Sequence, residues 1–288
     1  MASIVFRQPL PRQPEESLQD SVVNAGDIKT KRPSVKPDSA LHIGQRSLDS
    51  QIEMWSEPLL RPPLLRGLLR AELVEIASVA QVMHFAHREI IFRQDDRVRF
   101  VYILSGGMVK VTQLSECGKE VVLRVDRAGS LIDDLADESQ AHASTAQTVH
   151  ACSALVWNAA AFGRFSARFP VIHRNAVSIM QGRLRMLEER FCDISTQRVP
   201  QRLARVLLHL ARHNASGRLE PIGLSREDLS QMAGTSLFTV SRLLCSWVEL
   251  DILTVDRKTV VIEDLKRLLQ IAETRSDDSE LAFEAAGA

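Results

Sequence analysis

Between Leu224 and Leu250 the chain spells a helix, a stop and a second helix, a pattern that few folds accept. Ser225 is placed to cap the first turn, Asp228 three residues on can reach back to it, and Gly234 supplies a left-handed residue that ends the helix. The next helix opens at Thr235 or Ser236, where a hydroxyl is again available as cap. Two helices joined by so tight a turn cross steeply. In the second, Val240, Leu243, Leu244 and Trp247 fall at i, i+3, i+4 and i+7, which assigns a buried face and leaves Phe238, Ser241, Arg242 and Cys245 outward.

An outward face of this kind suits the major groove of double-stranded DNA. Arg242 is long enough for a bidentate contact to guanine, and Ser241 can reach a base edge or a phosphate. Hydroxyls and free amides at the helix starts suit phosphate. Downstream, 252–255 and 259–262 read as the strands of a hairpin, or wing, that carries Arg257 and Lys258 at its tip, against the DNA backbone. The expected contact set is therefore Ser225, Arg226, Thr235, Ser236, Leu237, Phe238, Ser241, Arg242, Arg257 and Lys258. Charge places this footprint locally: the chain carries 36 basic and 36 acidic residues, and 198–275 only twelve against nine. So mild an excess points to a dimer that supplies two footprints.

Upstream the pattern changes twice. Between Ile90 and Trp157 short apolar runs (90–92, 100–104, 108–111, 121–123 and 154–157) alternate with turn signals such as Ser105-Gly106-Gly107. Such spacing predicts an antiparallel roll, preceded by short helices over Leu64 to Val82. After Pro170, His173, Val177, Met180, Leu184, Leu187, Phe191 and Ile194 recur alternately four and three apart, flanked by Arg183, Arg185, Glu188, Glu189 and Arg190. That is a heptad seam, and a helix with one narrow apolar stripe is expected to pair with a copy of itself through Val177, Met180, Leu184, Leu187, Phe191 and Ile194. A further helix over about 200–213 buries Leu203, Val206, Leu207 and Leu210. The predicted architecture is α+β: a disordered arm at 1–52, an antiparallel β-roll sensor at 53–169, a long dimerisation helix at 170–196, a winged helix-turn-helix domain at 197–275 and a flexible tail at 276–288.

Several function classes find no support. The chain has no glycine-rich phosphate loop, nucleophile elbow or zinc-protease helix, and the carboxylates Asp133, Asp134 and Asp137 read as a solvated loop rather than acid-base groups, so no enzyme is expected. Cys117, Cys152, Cys192 and Cys245 are too scattered for a zinc or iron-sulfur site. No apolar run approaches the roughly 18–20 residues that span a bilayer, and the first residues lack the order of a secretory signal, which implies a cytoplasmic location and no membrane partner.

The succession of roll, seam helix and winged helix-turn-helix resembles the CRP/FNR superfamily of bacterial transcription regulators over about residues 60–275. The resemblance is most specific in 100–111 with its Ser-Gly-Gly turn, in 120–129, and in 224–250 with the wing. It implies a homodimer on a two-fold symmetric operator, RNA polymerase as a further partner, and a signal read in the roll and passed through the seam helix. Cyclic-nucleotide-binding members carry a Gly-Glu pair and an Arg-Ser pair in the roll. The matching positions here are Asp133 and Asp134, then His142 and Ala143, which make up the candidate effector pocket. Two carboxylates with no fixed cation would repel a phosphate. The Thr-Ser pair that meets the base in those members aligns with Leu187 and Glu188, so a cyclic nucleotide is not expected. No cysteine precedes Cys117, unlike in the iron-sulfur members. Haem, which other members use to sense gases, is the alternative cofactor, with His84, His87, His142, His150, His173 and Cys117 as potential axial ligands. A roll that is only a scaffold is the other possibility. The reading helix departs from the family in placing Phe238 where an acidic reader stands, which suits a thymine methyl rather than cytosine.

Overall fold

A computed structural model of the chain describes residues 61–133, 135, 140–211, 219–256 and 259–273. The expected arm and tail lie outside them, as do Asp134, Asp137, Arg257 and Lys258. A 3₁₀ turn, Pro63–Leu65, and helix α1, Arg70–Ser78, lead into strands β1 (Gln81–Phe85), β2 (Ile90–Phe92), β3 (Phe100–Gly106), β4 (Met108–Leu114), β5 (Glu120–Arg127), β6 (Thr145–Thr148) and β7 (Cys152–Asn158). They form two antiparallel sheets, β1-β7-β3 and β2-β6-β4-β5, face to face. Phe85, Phe92, Tyr102, Leu104, Val109, Val111, Ile132 and Ala154 fill the space between. Gly107 makes the tight turn from β3 to β4 with φ +86°, and a Cβ there would lie 2.5 Å from that of Cys152.

Two strands and a helix go beyond the sequence expectation. The helical pattern expected as far as Val82 stops at Ser78, and β1 pairs with β7 in the register Gln81↔Val156 to Phe85↔Cys152. The Thr-Ala-Gln-Thr of β6 has no apolar run, yet it lies between β2 and β4 with Ala146 and Thr148 buried. Helix α2, Ala159–Arg168, begins on Asn158, whose side chain accepts from the amide of Ala161 at 3.1 Å.

Helix α3, Pro170–Thr196, runs 27 residues, about 40 Å at 1.5 Å per residue. One face packs on the roll through Ile172 and Ala176. Helix α4, Val199–Leu210, then begins the winged part, followed by α5 (Arg226–Ala233), α6 (Leu237–Glu249), the hairpin β8 (Leu253–Asp256) and β9 (Thr259–Ile262), and α7 (Leu265–Glu273). Its core gathers Leu203, Leu207, Leu210, Leu229, Val240, Leu244, Trp247 and Val260, and it takes in Met108 and Val122 from the roll. Val206, expected in that core, is only half-buried at its margin. Roll and winged part thus share apolar packing. Among the described residues no helix is long and apolar enough to cross a membrane.

Candidate nucleic-acid interface

The capping residues build α5 and α6 as their spacing implies. Ser225 Oγ accepts from the amide of Asp228 at 3.0 Å and donates to its Oδ2 at 2.6 Å, while the Ser225 amide donates to the same oxygen at 3.2 Å. Gly234 ends α5 at φ +61°, ψ +46°, and its amide and that of Thr235 satisfy the last carbonyls of the helix. Ser236 then caps α6 by accepting from the amide of Thr239 at 3.1 Å.

On α6 the split between faces is sharp. Val240, Leu243, Leu244 and Trp247 are buried, whereas Leu237, Phe238, Arg242 and Cys245 are exposed and Ser241 is half-buried. Phe238 is 75% exposed, beside Leu237 at 49%, so the outer face carries apolar surface as well as Arg242. Of the other residues expected at DNA, Arg226 is exposed and Thr235 half-buried, while the hydroxyls of Ser225 and Ser236 serve their caps.

Long-range partners of this unit left no mark in the sequence pattern. Lys110 on β4 reaches Asp228 Oδ1 at 2.9 Å. Burial raises the Asp228 carboxyl, but the Ser225 hydroxyl and the Lys110 ammonium outweigh it and hold the group below its ordinary value. Arg190 on α3 donates to the carbonyls of Val122 at 2.7 Å and of Gln231 at 2.7 Å, joining the roll to α5, and burial lowers its guanidinium. Arg202 on α4 donates to Ile194 O and to Gly234 O, both at 3.1 Å.

In the roll, Asp133 and His142 are brought together, His142 Nδ1 against Asp133 Oδ2. His142 is 3% exposed and its ring stacks on Phe92 at 3.8 Å between centroids. Ala143 is exposed and stands apart, and Asp134 lies outside the described residues. Two arginines from distant parts of the sequence stand beside this pair. Arg183 on α3 donates to the carbonyls of Asp133, at 2.9 Å, and of Leu131, while Arg124 donates to Ile132 O and to Asp126 Oδ2, the latter at 3.1 Å. Burial raises the Asp126 carboxyl against the pull of Arg124 and Arg183, and burial together with Asp133 pushes Tyr102 up to about 12. The cations missing from the local sequence come from β5 and α3, and the protein's own carbonyls and carboxylates engage them.

The potential haem ligands are spread over several places, with His84 exposed on β1. His142 is spent on Asp133, Cys117 is exposed on the turn after β4, His173 is exposed on α3, and His87 and His150 stack on each other at 6.0 Å. Along the α3 seam Val177, Leu184, Leu187, Phe191 and Ile194 are exposed, Phe191 by 71%, with Met180 half-buried.

Residues 82–169 match the model of the cyclic nucleotide-binding domain and residues 201–271 that of the Crp-like helix-turn-helix domain. The chain is 23% identical over 197 residues to the anaerobic regulatory protein of Aggregatibacter actinomycetemcomitans, covering 67% of this chain and 77% of that one. It is 24% identical over 221 residues to the CRP-like cAMP-activated global transcriptional regulator of Mycobacterium tuberculosis, covering 75% and 99%. Among solved structures it resembles FixK2 from Bradyrhizobium japonicum at a TM-score of 0.58 and 21% identity, covering 69% and 100%.

Proposed function

Since the chain belongs to the CRP/FNR superfamily of transcription regulators and carries its helix-turn-helix, we propose that it acts as a homodimer on a two-fold symmetric operator, read by α6 of each protomer. The observation that carries this reading is the outer face of α6, where Phe238 and Arg242 stand in solvent over a fully packed inner face. Arg242 takes guanine through its fork and Phe238 packs on a thymine methyl, so the half-site differs from one read by an acidic residue. The open apolar row on α3 supports the dimer, because a buried seam removes Leu184, Leu187 and Phe191 from water. RNA polymerase is the further partner that this role implies, and the chromosome sets the cytoplasm as its place.

The roll works without a cyclic nucleotide in this reading. His142 stacks on Phe92 and binds Asp133, and Arg183 holds the neighbouring carbonyls, so groups that could meet a phosphate are engaged by the protein. Selection of bound duplexes from a random pool tests the proposal: the enriched site should be an inverted repeat, unchanged in affinity by added cyclic nucleotide. A non-repeated site, or binding that requires cyclic AMP, overturns it.

A further inference from the structure

Two hydrocarbon side chains open α6. Leu237 and Phe238 follow the Ser236 cap directly and are 49% and 75% exposed. Neither joins the apolar core of the winged part, which α6 meets through Val240, Leu243, Leu244 and Trp247. Side chains of an α-helix lean toward its N-terminus, so those of the first turn reach past the helix start, and residues four apart lie one behind the other. The outer face of α6 therefore carries two rows, Leu237 with Ser241 and Phe238 with Arg242. Each row has a hydrocarbon in front and a polar group behind.

In a helix-turn-helix the first residues of the second helix meet base edges in the major groove. Those edges display donors, acceptors and one hydrocarbon group, the C5 methyl of thymine. A leucine or a phenyl ring offers nothing to a donor or an acceptor, and pressing either onto one would leave that polar group desolvated and unpaired. We infer that Leu237 and Phe238 together read pyrimidine C5 methyl groups, so that 5-methylcytosine is bound in preference to unmodified cytosine. The inference rests on the operator reading proposed above, to which it adds a second reader, Leu237, and a chemical mark on the DNA. The patch is continuous with Ser241 and Arg242, whose hydroxyl and cationic fork suit a duplex. The methyl of 5-methylcytosine stands on the same ring carbon as that of thymine, while the group at C4 changes from carbonyl to amine. Hydrocarbon readers respond to the first and make no bond with the second. Methylation of an operator cytosine then enters the affinity directly, with no ligand in the roll.

Equilibrium binding of the full chain to the duplex enriched from a random pool, with single bases exchanged, tests this. Deoxyuridine in place of a contacted thymidine removes only the methyl and should weaken binding about fourfold, or about fifteenfold with one exchange in each half-site. At the same position a 5-methylcytosine–guanine pair should bind about fourfold tighter than a cytosine–guanine pair. Leu237→Ala and Phe238→Ala should each lose this response at one position and keep the guanine preference of Arg242, with unchanged melting temperatures because both side chains are exposed. If either variant does not fold, the base exchanges on the wild-type chain decide alone. Equal affinity for thymidine and deoxyuridine at every position of a selectively bound duplex overturns the methyl reading and leaves the operator reading standing. A methyl response that survives in the double variant overturns the assignment to these two side chains. A pool that enriches no sequence overturns the operator reading and the methyl reading with it.

Discussion

Replacing Lys110 with methionine asks whether charge as well as packing joins the roll to the reading helices. Lys110 Nζ lies 2.9 Å from Asp228 Oδ1, with 17% and 13% of the two side chains exposed. An exposed pair is worth about 0.2–1 kcal/mol, and breaking a buried one costs about 3–5 kcal/mol. This pair is mostly desolvated, but Asp228 keeps its two bonds from Ser225, so the loss falls at about 1–2 kcal/mol. For a unit of this size that lowers the melting temperature by about 2–8 °C. Asp228→Asn should cost more, about 2–3 kcal/mol, because the Ser225 cap also loses its charged acceptor. The double variant should fall short of the sum by about 1 kcal/mol. The pH dependence has a definite sign. The folded Asp228 carboxyl sits below its unfolded value of about 3.9, so its contribution is complete above that value and is lost as pH falls through the folded one. Urea melts of the four proteins at pH 7 and at decreasing pH read both effects. Additive penalties at pH 7, or a Lys110→Met penalty that persists once Asp228 is protonated, refute the pairing as a stabilising link.

Further outcomes follow from single side chains. Arg242→Ala should weaken operator binding about 5- to 150-fold per half-site with an unchanged melting temperature, since the side chain is exposed and bidentate base contacts are worth about 1–3 kcal/mol; an unchanged affinity removes Arg242 from the interface. Phe238→Glu should move selected sites from thymine toward cytosine at the base it meets, and an unaltered pool denies it a reading role. Gly234→Ala should cost about 1–3 kcal/mol by urea melt, because φ is +61° and the new Cβ would press on Ile194 at 3.2 Å; a neutral result means the turn relaxes freely. Tyr102 is the chain's one tyrosine, so phenolate absorbance reports it alone, and the folded protein should titrate near 12. Its contribution to stability is complete below the unfolded value of about 10 and is lost as pH rises toward 12. A midpoint near 10 while the tryptophan signal is still native shows the phenol open to solvent.

How legible each part was in the sequence depended on how local its cause is. The caps of α5 and α6, the αL turn and the face of α6 lie within a few residues of one another, and all were readable. The strands with apolar runs were readable too, because alternation and turn residues accompany them. Strands β1 and β6 were not, since each is defined by its partner: β1 continues the composition of the helix before it, and β6 is Thr-Ala-Gln-Thr, a strand only because β2 and β4 flank it. The surroundings of Asp133 and His142 were legible only in part. His142 and Asp133 did come together, but the cations beside them arrive from β5 and from α3, fifty residues downstream of Asp133.

Four arginines make hidden contacts of one chemistry, and that chemistry explains why they were hidden. Arg127 donates to Leu210 O at 2.8 Å, Arg183 to Leu131 and Asp133, Arg190 to Val122 and Gln231, and Arg202 to Ile194 and Gly234. In these bonds the acceptor is a main-chain carbonyl, which any residue can supply, whereas Lys110 meets the Asp228 carboxylate and Arg127 also stands 3.6 Å from Glu220 Oε2. A carboxylate acceptor would show in the sequence as a complementary charge; a carbonyl shows as nothing. Junctions made this way hold the roll, α3 and the winged part together while leaving the acceptor positions free to change residue, which suits a fold retained among structures 21% identical to this chain. The donors are less free. Lysine at 183 or 190 would keep the charge but lose the fork that spans two carbonyls, so substitution there should loosen the junction even though net charge is preserved.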